Sequence, residues 1–291
     1  MCSKKIVVLG GDMRLVTLAS EFYRDGYEVS VYGFSDEVEF DVGVVRESNL
    51  ADALSDRDIV VMGLPVTNDD ITVRTPLWDG KIYFYDVLKA MSKNQLLIGG
   101  KFTPKIKNMC NIYDIRAIDY FEREELTVLN AIPTAEGAIE IAMGMLPITV
   151  HGSKSLVLGF GRIGKVLAKD LHALGAEVYV EARRFEDLSW IKAYGYQPIY
   201  LPRLKEQLPL FDVIYNTVPH QIITEDMMKY IRKDCPFIDL ASMPGGIDDD
   251  KAAQYGIKVV HALSLPGKSS PKTSGEIICH TVENILSDMG V

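Results

Sequence analysis

Short runs of hydrophobic, mostly β-branched residues alternate along this chain with longer stretches in which hydrophobic residues recur at helical spacing. Unbroken apolar runs are typical of parallel strands that are buried on both faces, and the stretches between them would form the covering helices. We therefore predict an α/β fold of Rossmann-type, doubly wound parallel sheets. The predicted strands are Ile6–Leu9, Val29–Tyr32, Ile59–Met62, Leu96–Ile98, Leu156–Leu158, Val178–Val180, Val213–Tyr215, Phe237–Leu240 and Lys258–His261.

The pattern repeats once within the chain. Gly10 and Gly26 are 16 residues apart, and so are Gly159 and Gly175. Each closing glycine precedes a strand-like segment, YEVSVYGF in the first copy and AEVYVEAR in the second. The sequence thus predicts two Rossmann-type halves, beginning near residues 4 and 154.

Two further helices are predicted where the halves join. PTAEGAIEIAMGML begins with Thr134 as a candidate cap and Glu136 in the first turn, and PKTSGEIICHTVENILSDMG is amphipathic near the C-terminus. We interpret both as crossover helices, with the last one returning to the first domain. The predicted domains are 1–133 plus 272–291, and 134–271.

Composition narrows the class of protein. Of the 291 residues 47% are hydrophobic and 24% are charged, as in ordinary soluble globular proteins. A formal net charge of -9 disfavours nucleic acid as a partner, because phosphate binding needs clustered Lys and Arg. No apolar run reaches the roughly 20 residues of a membrane span, and no signal-like segment follows the N-terminus.

The four cysteines are scattered, with no pair at metal-ligand spacing, so we expect free thiols, a cytoplasmic protein and no metal site. Cys2 lacks an apolar leader, which argues against lipidation there.

The second copy carries a dinucleotide-binding fingerprint. In SLVLGFGRIGKVLAKDL, Gly159 would make the tight turn, Gly161 would admit a pyrophosphate and Gly164 would allow close helix–strand packing. Arg162 and Ile163 lie between these glycines, at a helix start that favours anions.

The end of the next strand indicates which cofactor is bound. The position of the ribose-binding carboxylate in NAD enzymes falls on Ala182, and Arg183 and Arg184 follow, suited to a 2′-phosphate. Glu181 would become a ribose ligand if the register were shifted by one residue. We predict NADP, with NAD as the alternative.

Polar loops follow two later strands of the same copy, in NTVP and DLASMPGG. Ligands of open α/β sheets bind beyond the carboxyl ends of the strands. We expect these loops to face the cofactor, through Asn216, Thr217, Pro219 and Ser242.

The first copy departs from the fingerprint. Asp12 stands where the second glycine is expected and Leu15 where the third is expected. A carboxylate would oppose a pyrophosphate, so we predict no dinucleotide here. Arg14 at the helix start suits a small carboxylate instead.

Several segments together resemble the family of the dipicolinate synthase A-subunit. They are IVVLGGDMR, FEREELTVLNAIPTAEGAI, LGFGRIG, NTVP, DLASMPGG and LPGKSSPKTSGEI, and they cover essentially the whole chain. The layout is more distantly similar to formate/alanine dehydrogenase-like folds, in which both chain ends form a substrate domain around a central nucleotide domain.

The resemblance implies NADP-dependent oxidation of a dihydrodipicolinate-type intermediate to pyridine-2,6-dicarboxylate in spore-forming bacteria, on a branch of the lysine pathway. It also implies a small dicarboxylate substrate, a partner in the flavoprotein-like B-subunit of dipicolinate synthase, and a homo-oligomer.

A dicarboxylate needs two anion-binding groups. The candidate substrate ligands are Arg14, Thr134, Lys268, Ser270, Lys272 and Thr273. Aromatisation also needs a proton acceptor, and Glu136, His220 and Asp119 remain open as candidates.

Two alternatives compete with this interpretation. A 2-hydroxyacid dehydrogenase would place an arginine in the DLASMPGG loop and a histidine near the LPG turn, where this chain has Met243, Gly267 and Lys268. A non-catalytic protein that binds NADP would keep the dinucleotide-binding fingerprint but would have no catalytic base.

Overall fold

The computed structural model describes residues 4–290, so Cys2 lies outside the described range. Its contacts divide the chain into two compact units. The first unit runs up to Leu129 and resumes from Ser270, and the second unit spans Asn130–Ser269.

The first unit contains a six-stranded sheet with order β3-β2-β1-β4-β5-β6, and the strand pairs are parallel. The strands are β1 Lys5–Leu9, β2 Glu28–Tyr32, β3 Val45–Arg46, β4 Ile59–Met62, β5 Leu96–Gly99 and β6 Arg116–Asp119. The helices are α1 Met13–Arg24, α2 Leu50–Leu54, α3 Phe84–Ala90, α4 Pro104–Ile112, α5 Glu124–Leu129 and α13 Pro271–Asp288.

Helices cover both faces of this sheet. One hydrophobic cluster joins β1, β2, β4 and β5 to α1 and α13, and the other joins the opposite face to α2, α3 and α4. The helices α1 and α13 approach closely at Gly275, where an added Cβ would lie 2.5 Å from the Arg14 carbonyl oxygen. The return of the C-terminal helix to the first unit is therefore part of its core.

The second unit repeats the same arrangement, with sheet order β12-β11-β10-β7-β8-β9 and parallel pairing. The strands are β7 Lys154–Leu158, β8 Glu177–Ala182, β9 Gln197–Tyr200, β10 Val213–Asn216, β11 Phe237–Asp239 and β12 Val259–His261. The helices are α6 Ala131–Met145, α7 Arg162–Ala173, α8 Phe185–Ala193, α9 Leu204–Gln207, α10 Glu225–Met228, α11 Asp249–Gln254 and α12 Leu265–Ser269.

The predicted α/β fold with two parallel sheets is confirmed, and each of the predicted strands has a counterpart. Three strands were missed, namely β3, β6 and β9, and all three lie at a sheet edge. These three edge strands mix polar with apolar residues, so they lack the continuous hydrophobic run by which the other strands were predicted.

The start of α6 differs from the prediction. Its N-cap is Asn130, and Thr134 lies one turn inside the helix, where its hydroxyl donates to the Asn130 carbonyl oxygen at 2.7 Å. A threonine can satisfy its hydroxyl on the preceding turn as readily as it can cap, and local sequence does not separate the two. Over the described range, no helix combines the length and apolar character needed to cross a membrane.

Candidate functional site

The turn between β7 and α7 has the geometry of a dinucleotide-binding loop. Gly159 adopts φ +92°, and a Cβ there would lie 2.6 Å from Val218 and 2.8 Å from the Thr217 hydroxyl. Only glycine tolerates this combination of backbone conformation and crowding. The tight turn predicted for Gly159 is present.

Gly161 and Gly164, the other two glycines of the fingerprint, have different structural roles. A Cβ on Gly164 would lie 2.2 Å from the Gly159 carbonyl oxygen, so this glycine lets α7 pack directly on the turn. At Gly161, the N-cap of α7, a Cβ would meet no described atom within 4 Å. Open space at a helix N-terminus fits a pyrophosphate, and these residues therefore suit the predicted cofactor. Arg162 is exposed and Ile163 half-buried in the first turn of α7.

The loops after β10 and β11 are tied to one another. The Asn216 amide donates to Asp239 at 2.8 Å and to the Val218 carbonyl at 2.9 Å, and both carboxylate and amide are fully buried. Thr217 donates its hydroxyl to the Leu158 carbonyl at 2.8 Å. Asn216 and Thr217 thus shape the loop, whereas Pro219 and Ser242 are exposed beyond the strand ends.

The end of β8 carries the residues expected to select the cofactor. Ala182 is the last residue of the strand, and Arg183 and Arg184 follow it as exposed side chains. Arg184 pairs with Asp187 at 2.8 Å and with Glu186 at 2.7 Å, while Arg183 makes no salt bridge with a described residue. Glu181 is buried inside the strand, so it does not occupy the terminal position.

The equivalent turn in the first unit is filled by its own side chains. Asp12 is the N-cap of α1 with φ −100° and ψ −168°, close to the −81° and −160° of Gly161. Leu15 is fully buried and occupies the space above Gly11, where an added Cβ would lie 2.5 Å from it. The two helices therefore begin with the same N-cap conformation, and the absence of a dinucleotide from the first turn stays a prediction.

Asp12 binds two arginines. Arg14 donates from Nε to Oδ1 at 2.9 Å and from Nη2 to Oδ2 at 2.8 Å, and Nη2 also donates to the Leu64 carbonyl at 2.5 Å. Arg74 donates to Oδ2 at 2.8 Å. Burial by itself would raise the pKa of the Asp12 carboxyl, but the two guanidinium groups outweigh it and hold that pKa at about 2.

We call Asp12, Arg14 and Arg74 the Asp12 cluster. The sequence indicated Asp12 and Arg14 but not Arg74. Arg14 is 5% exposed and its charge is directed at Asp12, so a direct substrate contact by Arg14 stays a prediction. Arg74 was missed because nothing local marks it; it lies 62 residues from Asp12 in the chain. Its side chain is 25% exposed, and its other donors make no hydrogen bond with a described residue.

The acid–base candidates lie in different surroundings. In the first unit, the Asp119 carboxylate accepts backbone N–H groups of Lys101, Phe102 and Phe121 at 2.7–2.9 Å. In the second unit, Glu136 is exposed on α6 and His220 is exposed after β10. Asp119 thus fixes the loop after β5, and a catalytic role for any of the three stays a prediction.

The remaining substrate candidates are distributed over both units. Thr134 is buried within α6, and Lys268 is exposed on α12 of the second unit. Ser270 is the N-cap of α13 without a side-chain capping bond, and Lys272 and Thr273 are exposed in its first turn. Their binding of substrate also stays a prediction.

Removal of the Asp12 charge should destabilise the first unit. Asp12→Asn keeps a capping oxygen but leaves buried Arg14 without its counter-ion, so we expect a loss of about 3 kcal/mol in urea or thermal unfolding. Glu122→Ala, which breaks an exposed pair with Lys107, is the control and should change little. In the wild type the Asp12 contribution should be complete above its ordinary pKa of 3.8 and decline as the pH falls towards 2. A loss no greater than the control would contradict this role.

The two neighbouring glycines allow a matched test of the loop. Gly161→Ala meets no atom, so we expect unchanged stability but at least about tenfold weaker binding of NAD or NADP, measured by fluorescence titration. Gly164→Ala forces a methyl group against the Gly159 carbonyl and should cost about 2 kcal/mol of stability. Undiminished nucleotide binding by Gly161→Ala would show that the open space is not a ligand site.

Two family models match the chain, one in each unit. Residues 5–121 match the N-terminal domain of the dipicolinate synthase A-subunit. Residues 134–252 match the NAD-binding domain of the D-isomer-specific 2-hydroxyacid dehydrogenases. The second unit is accordingly a nicotinamide-cofactor domain of the dehydrogenase type.

Individual relatives match from end to end. The dipicolinate synthase A-subunit of Bacillus subtilis strain 168 is 29% identical over 98% of this chain and 96% of its own length. The crystal structure of the dipicolinate synthase A-subunit from Bacillus halodurans is also 29% identical, with a TM-score of 0.91, over 98% of this chain and 99% of that one. An L-alanine dehydrogenase, 16% identical with a TM-score of 0.68 over 98% of this chain and 90% of its own, shares the fold. The chain is thus similar over its whole length to dipicolinate synthase A-subunits.

Proposed function

We propose that this protein oxidises a dihydrodipicolinate-type intermediate to pyridine-2,6-dicarboxylate, with NADP as hydride acceptor. The overall balance is one dihydro acid and one NADP⁺ giving one aromatic acid, one NADPH and one proton. The observation that carries the proposal is the combination of an intact glycine turn at β7–α7 with an end-to-end match to A-subunit relatives. By analogy with the names of those relatives, we also propose that it works with a B-subunit.

The second unit would hold the cofactor at its carboxyl edge. The N-terminus of α7 at Gly161 would receive the pyrophosphate, and exposed Arg183 and Arg184 would attract a 2′-phosphate. When bound, the cofactor would accept a hydride from the substrate ring. The loops fixed by Asn216 and Thr217 would border the nucleotide.

The Asp12 cluster would bind one substrate carboxylate. Two guanidinium groups share one carboxylate there, so one positive charge remains uncompensated at the carboxyl edge of the first sheet. Arg74 is the partly exposed member of the cluster, and its guanidinium group has N–H donors that make no hydrogen bond with a described residue. Arg14 is buried and orients Asp12. This arrangement supports Arg74 as the residue that contacts the substrate carboxylate, while Arg14 holds Asp12 in position.

The proton that leaves the ring needs an acceptor. Asp119 already accepts three backbone N–H groups, which leaves Glu136 and His220 as the better candidates. Neither side chain of this pair makes a hydrogen bond with a described residue, so both can exchange protons with a ligand or with water. Three buried free thiols support a reducing, cytoplasmic compartment, and sporulation is the proposed setting.

A 2-hydroxyacid dehydrogenase activity is the second candidate, because the second unit matches that NAD-binding domain. Its catalytic side chains have no counterpart at the expected places. Met243, which is 69% exposed, occupies the loop where the arginine is expected, and Gly267 and Lys268 lie where the histidine is expected.

The direct test is a coupled assay. Purified protein with its proposed B-subunit, NADP and a dihydrodipicolinate generated in situ should form NADPH and the aromatic acid in equal amounts, followed by absorbance. Turnover of a D-2-hydroxy acid in its place would favour the second candidate. Absence of any absorbance change with both proteins present would reject the proposed reaction.

Arg74 provides a test of the substrate site. Because a charge-assisted hydrogen bond is worth about 1.5–3 kcal/mol, Arg74→Ala should raise KM about 10- to 100-fold, while the Kd of NADP stays within about twofold. Arg123→Ala is the control, since that arginine is engaged by Glu125 and Asp288. An equal loss of substrate and NADP binding in Arg74→Ala would argue against a separate carboxylate site.

A further inference from the structure

Lys101 is an exposed cation that the proposed reaction does not use. It lies in the loop between β5 and α4, at the carboxyl edge of the first sheet, and its backbone adopts φ +60°. This left-handed conformation is unfavourable for a residue with a Cβ, whereas glycine adopts it without cost. Strain of this kind concentrates at functional sites, so a role of the side chain would account for lysine at this position.

The residues around Lys101 fix its backbone but not its side chain. The Asp119 carboxylate accepts the Lys101 N–H at 2.8 Å. The preceding residue, Gly100, packs so tightly that an added Cβ would lie 2.5 Å from the Tyr120 ring and 2.8 Å from Leu64. The Lys101 ammonium makes no hydrogen bond or salt bridge with a described residue, so its charge is available to a ligand.

Backbone hydrogen bonds join this loop to the loop that carries Arg74. The Val66 N–H donates to the Gly100 carbonyl at 3.0 Å, and the Arg74 N–H donates to the Val66 carbonyl at 2.9 Å. The Gly11 N–H donates in turn to the Arg74 carbonyl at 3.0 Å. Since hydrogen-bonded segments lie about 4.8 Å apart, the backbones at residues 74 and 100 are separated by about 10 Å. Lys101 and the Asp12 cluster therefore lie on one hydrogen-bonded edge of the first unit.

Side-chain packing also places Lys101 beside the Asp12 cluster. Leu64 contacts the glycine before Lys101 through its side chain, and its carbonyl oxygen accepts from Arg14 Nη2 at 2.5 Å. The buried ring of Tyr120 packs on the same glycine and interacts electrostatically with all three members of the cluster. Two cations with free donors, Arg74 and Lys101, thus border the same area of this edge.

We propose that Lys101 is a specificity-determining residue that binds the second carboxylate of the substrate. A ring with two carboxylates needs two separated cations, and Arg74 and Lys101 form such a pair on a single unit. A monocarboxylate would use only the site at Arg74. This inference rests on the proposed substrate site and assigns the group that distinguishes a diacid from a monoacid there.

The experiment compares two ligands that differ by one carboxylate. Binding of pyridine-2,6-dicarboxylate and of pyridine-2-carboxylate to the full chain is measured by calorimetry with NADPH present, in a buffer without divalent cations, which the diacid chelates. In Lys101→Met the affinity for the diacid should fall about 10- to 100-fold, since one charge-assisted hydrogen bond is lost, and that for the monoacid should stay within about twofold. Lys101→Arg, which keeps the charge, should recover most of the diacid affinity.

Two further variants make the comparison specific. Arg74→Ala should weaken the binding of both acids, because both use that arginine. Lys105→Met removes another exposed lysine, in the first turn of α4, and should bind both acids as the wild type does.

A stability measurement separates a binding role from a structural one. Lys101→Gly removes the cation and the backbone strain together, so the midpoint of thermal unfolding should rise by about 2 °C while the diacid affinity falls as in Lys101→Met. A lysine that only supported the loop would lose stability in both variants and would weaken the two acids equally, which would overturn the proposal.

The outcome for Lys101 can be told apart from the outcome for the substrate. Unchanged diacid affinity in Lys101→Met would overturn the role of Lys101 and leave the proposed substrate class intact. Failure of the wild type to prefer the diacid over the monoacid would overturn the proposed substrate, and the assignment of Lys101 with it.

Discussion

A helix that begins directly after a buried parallel strand leaves unpaired backbone N–H groups at the carboxyl edge of the sheet, and both units are built around this feature. In the second unit Gly161 leaves those groups accessible to a ligand. In the first unit Asp12 supplies a carboxylate to the same position. The two units thus share one backbone arrangement and differ in the side chain at the N-cap.

The carboxylate at Asp12 has consequences beyond the cap. A half-buried carboxylate requires counter-ions, and Asp12 has two, Arg14 from the first turn of the same helix and Arg74 from the loop after β4. Because two guanidinium groups surround one carboxylate, this turn has an excess of positive charge, which is why we propose it as the site of a substrate carboxylate. The repeated fold is therefore compatible with an arrangement in which one copy holds the cofactor and the other holds the substrate.

The central strands could be predicted because they are buried on both faces and consist mostly of apolar residues. The edge strands β3, β6 and β9 could not, since one side of each has no neighbour and the selection for apolar residues is weaker. The cap of α6 was placed one turn too late because Asn130 and Thr134 are both good capping residues. Asp119 looked like a free acid in the sequence, but three backbone donors converge on it only after β5 and β6 pair.

The sequence by itself determined the repeat and the glycine turn at residues 159–164, because these depend on local backbone geometry and on single residues. Tertiary structure alone decided that Arg14 is buried against Asp12, that Arg74 joins them from 62 residues away, and that Glu181 keeps an unsatisfied oxygen at the nucleotide turn. The physical reason is that charge state and accessibility depend on what packs around a group, and the packing partners come from distant parts of the chain.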